Sequence, residues 1–171
     1  MTQELIDLKT SIIAGRYDDA LAIVDELEAM SKKDILRKIK SFLLRLLVPL
    51  IQNQVEQRLT NSWAASISNY IIEIQDFNQK NHKNSYYVKR DEWDEMINSA
   101  LEAAITTASA EVFGGTLTPF KLAEIIDKTT IMATCKNLLF LTYDHSEADL
   151  PVVVRNTIAE LPGGTAWRQG D

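Results

Sequence analysis

A chain of 171 residues and 19.3 kDa is the size of one ordinary domain, and folding buries roughly 70% of such a chain's unfolded surface without a disulfide or metal staple. Its 18 basic and 24 acidic residues leave a net charge of −6, which argues against nucleic acid as the default partner. Six glycines and four prolines give little punctuation, which favours long helices over many short strands.

Along residues 2–14, Leu5, Ile6, Leu8, Ile12 and Ile13 stand at broadly helical spacing, and Gly15 supplies a stop. Asp18 or Asp19 caps a second helix with the apolar stripe Ala20, Leu21, Val24, Leu27 and Ala29. Ser31 and Asp34 stand three apart, a weak capping box, and predict a third helix from there to about Arg58. Within it, residues 42–51 are apolar on nearly every side, so several neighbours must surround them. Pro49 lacks an N–H and crowds the carbonyl four residues back, which predicts a kink between Arg45 and Pro49.

Asn61 or Ser62 opens the next helix, whose stripe is Trp63, Ile67, Tyr70, Ile71, Ile74 and Phe77. In that register Trp63 is expected as a core anchor. Residues 78–85 are polar and read as a loop. Asp91 starts a fifth helix carrying Trp93, Ile97, Leu101, Ala104, Ala108 and Val112, ended by Gly114-Gly115. Leu117, Thr118 and Pro119 give an apolar residue, a cap and a first-turn proline in order. Residues 131–141 continue or restart that helix, with a break expected at Thr129-Thr130. Asp149 and Pro151 fit the start of a last helix through Leu161, whereas Val152-Val153-Val154 suits a strand. Residues 161–171 read as a loose tail. The expected fold is an all-α single-domain bundle of five to seven helices around a buried central helix, about 32–58. Residues 1–143 form the bundle and 144–171 a partly helical extension.

The single cysteine, Cys135, excludes an intrachain disulfide and points to a reducing compartment. The start MTQELIDLKT lacks the basic end and apolar run of a signal peptide. The longest near-apolar run, residues 41–51, is interrupted by Arg45 and falls short of the roughly 18 residues of a membrane span. A cytoplasmic protein with no membrane span is the expectation. GRYDDA (15–20) has the Gly, Tyr and Ala spacing of a tetratricopeptide helix, but it does not repeat 34 residues on.

AGRYDDA (14–20), IVDELEAMSKKD (23–34), FLLRLLVPLIQNQVEQR (42–58) and TNSWAASI (60–67) follow one another between Ala14 and Gln75. In this order they resemble a mostly cyanobacterial family, domain of unknown function number twenty-nine. The Asn-Ser-Trp at 61–63 is the most distinctive part. The family often has His, Lys and Trp where this chain has Leu-Val-Pro-Leu-Ile at 47–51, and often Pro where it has Val55. The resemblance implies an all-helical fold and no activity.

No H-E-x-x-H, C-x-x-C, G-x-S-x-G, Walker loop or dinucleotide fingerprint occurs. No catalytic, cofactor-binding or metal-binding residue is therefore assigned, and no cofactor is expected. His82 lies in a polar loop and reads as solvated. His145 stands near Asp144, Glu147 and Asp149, three carboxylates with affinity for a hard cation but without EF-hand spacing. Cys135 lies among Ile131, Leu138 and Leu139 and reads as an inert buried thiol. Gly114-Gly115 precede a helix start, as a phosphate cradle does, but no Lys-Ser or Lys-Thr follows.

Charge is patterned most clearly early in the chain. Asp18, Asp19, Asp25, Glu26 and Glu28 make the second helix acidic; Lys32, Lys33, Arg37, Lys38 and Lys40 make the start of the third basic. The plain reading is pairing across a tight antiparallel turn between the two. The functional reading is a basic face for an acidic protein partner. The leading expectation is a non-enzymatic protein–protein interaction module with an unknown partner. A homodimer is favoured slightly, through the apolar segment 42–51. Alternatives are nucleic-acid binding through the basic segment 32–45, from Lys32 to Arg45, and a small-molecule or lipid-binding bundle with a cavity beside Pro49.

Overall fold

The structure is a computed structural model describing residues 2–80 and 85–170. It is all-α, with eight α-helices among the described residues: α1 (Gln3–Ile13), α2 (Tyr17–Glu56), α3 (Asn61–Asn78), α4 (Trp93–Ser109), α5 (Pro119–Ile125), α6 (Lys128–Asp144), α7 (Leu150–Ile158) and α8 (Gly164–Gln169). Short 3-10 turns stand at Arg90–Glu92 and Val112–Gly115. No helix is long and apolar enough to cross a membrane, among the described residues. The chain divides into two compact units, Met1–Arg37 and Lys38–Asp171.

In the first unit, α1 ends on a Schellman turn. Gly15 N–H donates to the Ile12 carbonyl at 3.1 Å and Arg16 N–H to the Ser11 carbonyl at 2.8 Å. Gly15 has φ +73°, the left-handed backbone this motif requires, which is why the stop expected there holds. The turn leads directly into α2, and Ser11 and Ala20 are buried on either side of it. The shielded face of α1 runs through Glu4, Leu8 and Ser11; that of α2 runs through Ala20, Ile23, Val24 and Leu27. Both follow the three-to-four spacing of one helix face, so the two helices pack as an antiparallel pair.

One expectation fails here. The predicted second and third helices are a single helix of 40 residues, α2. The linking stretch Met30-Ser31-Lys32-Lys33-Asp34 has neither Gly nor Pro. One Ser and one Asp cost only a few tenths of a kcal/mol each inside a helix, too little to break it. The acidic and basic segments are therefore consecutive on one rod, and no hairpin exists to pair them. Pro49 also stays inside α2, which continues to Glu56. Its missing N–H withdraws the usual donor from the Arg45 carbonyl.

The second unit is built around the later part of α2. Ile39, Leu43, Leu46, Leu47, Leu50 and Ile51 are all at most 2% exposed, as the all-round apolar pattern requires. A homodimer through this segment is thereby corrected: its apolar side chains are consumed within the unit. The α3 stripe that turns inward is Ala64, Ile67, Ile71, Ile74 and Asn78. Trp63 and Tyr70 lie one residue, about 100° of helix turn, to the side and stay half-buried. Trp63 is thus not the core anchor; Trp93, 0% exposed, is. Thr60, rather than Asn61 or Ser62, caps α3 by accepting from Trp63 N–H at 3.0 Å.

α4 opens after the Arg90–Glu92 turn, where the Glu92 carboxylate accepts from Lys89 N–H at 3.0 Å. It ends at Ser109, before the two glycines expected to stop it. Thr118 accepts from Lys121 N–H at 3.2 Å and Pro119 occupies the first turn of α5, as the sequence order predicts. The break before α6 falls at Ile126-Asp127, not at Thr129-Thr130, and Asp127 caps α6 through Thr130 N–H. Gln54 fixes this joint: its amide oxygen accepts from Asp127 N–H at 2.9 Å and its NH₂ donates to Asp127 C=O at 3.1 Å.

Of the two alternatives left open for the C-terminal segment, the helix forms. Residues 150–158 are helix, not strand, and Leu150, Val154 and Ile158 bury one face against α3 and α6. Residues 144–171, read as an extension with a loose tail, thus share the second unit's core. Gly164–Gln169 forms α8. Asn53, 2% exposed, donates to Pro162 C=O at 2.8 Å and to Arg58 C=O at 3.0 Å, tying the segment to the end of α2. Gly163 has φ +74°, and a Cβ there would stand 2.7 Å from Arg58 Cα. Only glycine permits that approach without displacement.

Candidate functional site

In Met1–Arg37 the apolar side chains outnumber the places to bury them. Leu5, Ile6, Ile12 and Ile13 on α1 are exposed, Ile13 by 76%. Leu5 and Ile12, and likewise Ile6 and Ile13, stand seven residues apart, so each pair stacks on one side of α1. Tyr17 and Leu21 at the start of α2 are 65% and 61% exposed. Going round each helix in the chain sense, Leu5 with Ile12 on α1 and Tyr17 with Leu21 on α2 lie roughly a quarter to a third of a turn past the packed face, whereas Ile6 and Ile13 lie about half a turn past it. In two helices that run oppositely, this places Leu5, Ile12, Tyr17 and Leu21 on the same side of the pair. Together they form one apolar face flanked by charge. The sequence signal for it was present in the spacing of seven, but it reads as part of one broad helical stripe until the packed face is known.

The charged residues of α2 have few partners of their own. Among the described residues of this unit the ion pairs are Arg16–Asp19 at 3.8 Å and Arg37–Asp34 at 3.7 Å, both local and exposed. The basic segment 32–45 is divided between the two units: Lys32, Lys33 and Arg37 lie in the first, Lys38, Lys40 and Arg45 in the second. Lys38 Nζ lies 5.1 Å from the Phe77 ring centroid, a cation–π contact.

In the second unit an open pocket of about 390 Å³ lies beside Pro49. Arg45, Gln52, Trp63, Ser66, Tyr70 and Glu111 are among its lining. Gln52 is 4% exposed and donates to the Glu111 carboxylate at 2.9 Å. The Arg58 guanidinium lies 4.7 Å from the Trp63 ring centroid, so one face of the indole is occupied by a cation.

The other residues singled out by sequence are placed apart or tied down. His82 lies outside the described residues. Asp144 is held by Arg90, whose hydrogen bond keeps the carboxyl below its ordinary pKa. His145 caps α6, its carbonyl accepting from Gln75 at 2.9 Å. Among the described residues, no group of three or more His, Cys, Asp and Glu side chains converges to hold a metal ion. Cys135 is fully buried, and burial pushes its thiol far up, which keeps it protonated. Gly114 and Gly115 form left-handed turns, with Gly114 N–H donating to the Glu111 carbonyl at 3.1 Å.

One buried polar cluster was invisible in the sequence. Tyr143 OH accepts from Trp93 Nε1 at 2.6 Å and from Asn78 Nδ2 at 3.1 Å, and donates to the Val88 carbonyl. Asn78 Oδ1 accepts in turn from Val88 N–H at 2.7 Å. These groups satisfy one another with no side chain left to react, so the cluster is structural.

No curated protein and no solved structure gives a significant match to this chain. A family model, "Domain of unknown function DUF29", matches residues 17–131, from the first turn of α2 into α6. That span is more than half of the chain. Its helical sequence order agrees with the resemblance carried by residues 14–75, and the chain belongs to the DUF29 family.

Proposed function

We propose that this protein is a non-enzymatic helical interaction module whose docking face is the apolar side of the α1–α2 pair. The observation that carries the reading is where the exposed apolar side chains fall. Among the described residues, seven of the eleven exposed large hydrophobics lie in Met1–Arg37. A two-helix unit below roughly 40 residues does not close a core by itself and usually draws on a partner. Burying a side chain such as Ile12 or Leu21 stabilises a complex by roughly 1–3 kcal/mol. Four to six such residues on one side are ample for a helix-on-helix interface. The test is photo-crosslinking in the native host. The full chain carries a photoreactive residue at position 12, with position 152, also exposed, as control. The reading expects a protein adduct at 12 that Leu5→Asp abolishes. No adduct at 12, or an adduct indifferent to Leu5→Asp, overturns it.

A second reading rests on the pocket beside Pro49. Its 390 Å³ falls within the roughly 300–1,000 Å³ of small-molecule sites, and it joins an aromatic wall, Trp63 and Tyr70, to a cation, Arg45. Such a lining suits a small aromatic acid. Titration of benzoate-class acids against indole fluorescence, with Trp63→Phe as control, tests it. Saturable quenching lost in Trp63→Phe supports the site, and its absence removes it.

A further inference from the structure

Counted outward from Ala29, the sequence of α2 inverts its charge. Glu26 answers to Lys32, Asp25 to Lys33 and Asp18 to Lys40. Among the described residues none of Asp25, Glu26, Lys32 and Lys33 forms a salt bridge within this unit, and all four are exposed. On a continuous helix, Asp18, Asp25 and Lys32 follow at intervals of seven, as do Asp19, Glu26 and Lys33. Each set forms a stripe that is acidic at its start and basic at its end. Ala22, Ala29 and Leu36, again seven apart, run between the two stripes, with small side chains where the pattern is centred.

We propose that a second copy of this chain pairs with α2 on the side away from α1. It lies antiparallel along α2, about a two-fold axis near Ala29. Antiparallel pairing sets each stripe beside the same stripe of the other copy, Asp25 by Lys32 and Glu26 by Lys33, twice over by symmetry. Parallel pairing sets acid on acid and base on base, so the charge pattern selects the orientation. Ala22 and Ala29 let the backbones approach closely. Leu21, beside the acidic stripe, stands at the rim of this contact, and α1 packs on the opposite side of α2. This interface replaces the one expected from residues 42–51, which are buried.

The charges themselves provide the test. One variant carries Asp25→Lys and Glu26→Lys; another carries Lys32→Glu and Lys33→Glu. Each places like charges across the axis. All four side chains are exposed, so both variants fold, as circular dichroism and thermal melting verify. Light scattering of the full chain is expected to give twice 19.3 kDa for the wild type. Each variant alone is expected to weaken association by roughly a hundredfold or more, the product of several reversed surface pairs. An equimolar mixture restores the dimer, because each variant now complements the other. A wild type of 19.3 kDa at all concentrations overturns the proposal. So do variants as dimeric as wild type, or a mixture that stays monomeric. A monomeric wild type sinks self-pairing alone, since the module reading stands or falls on the adduct at position 12.

Discussion

Tyr143→Phe removes one oxygen from the most closely connected polar cluster in the second unit. That oxygen accepts from Trp93 Nε1 and Asn78 Nδ2 and donates to the Val88 carbonyl. Val88 C=O keeps a bond from Asn78 Nδ2 at 3.1 Å, so the acceptor survives. The indole N–H of Trp93 does not: the residue is 0% exposed and has no other partner among the described contacts. A buried donor left unmade costs about 1–3 kcal/mol, and the lost bonds to Asn78 and Val88 add about 1 kcal/mol in sum. The expected destabilisation is about 2–4 kcal/mol by urea unfolding, with an unchanged m-value. Trp93→Phe combined with Tyr143→Phe costs less than the sum of the single changes, because the second substitution removes the orphaned donor. A loss below about 0.5 kcal/mol in Tyr143→Phe refutes the reasoning, as does strict additivity of the pair.

Gly163→Ala costs about 1–3 kcal/mol for the left-handed backbone alone, and more because its Cβ meets Arg58 Cα at 2.7 Å. A neutral result in chemical unfolding means that the C-terminal segment does not pack as described. Trp93→Ala costs about 3–5 kcal/mol, whereas Trp63→Ala, at a half-buried pocket wall, costs about 1–2 kcal/mol; unfolding curves that reverse this order contradict the packing of α3 and α4. Asp144 titrates low because Arg90 donates to it, so this pair contributes above the ordinary carboxylate pKa and is lost as pH falls through the depressed one. Asp144→Asn therefore narrows its stability gap to wild type on acidification, and a gap that widens instead is the wrong sign.

Much of the fold was legible because local chemistry and tertiary packing agree. Leu117-Thr118-Pro119 names its own helix start, and the all-round apolar run at 42–51 has no stable place except a core. The failures share a cause: the sequence states local options, and packing chooses among them. Ser31 and Asp34 offer a cap that a continuous helix overrides at little cost. Val152-Val153-Val154 left strand and helix both open, and Leu150, Val154 and Ile158, a helix face packed on α3 and α6, decide for the helix. Gly163-Gly164 reads as a frayed tail until Arg58 and Leu59 are seen against it. The candidate face was half legible. Its charges were plain, but pairing them across a turn required a turn that α2 does not make. Its apolar side chains on α1 looked like core, because spacing alone does not say how many sides of a helix are covered.

The arrangement along α2 is tested most directly by distances between spin labels in the full chain at position 30 and, separately, at position 19. Both positions are exposed, and both lie to one side of the Ala22, Ala29 and Leu36 line, position 19 at the start of one charged stripe. In an antiparallel pair centred on Ala29, two labels at position 30 are offset along the axis by about 3 Å, and two at position 19 by about 30 Å, at 1.5 Å per residue. The account predicts a short distance at position 30 and a clearly longer one at position 19. Equal distances at the two positions, or no dipolar coupling at either, contradict it.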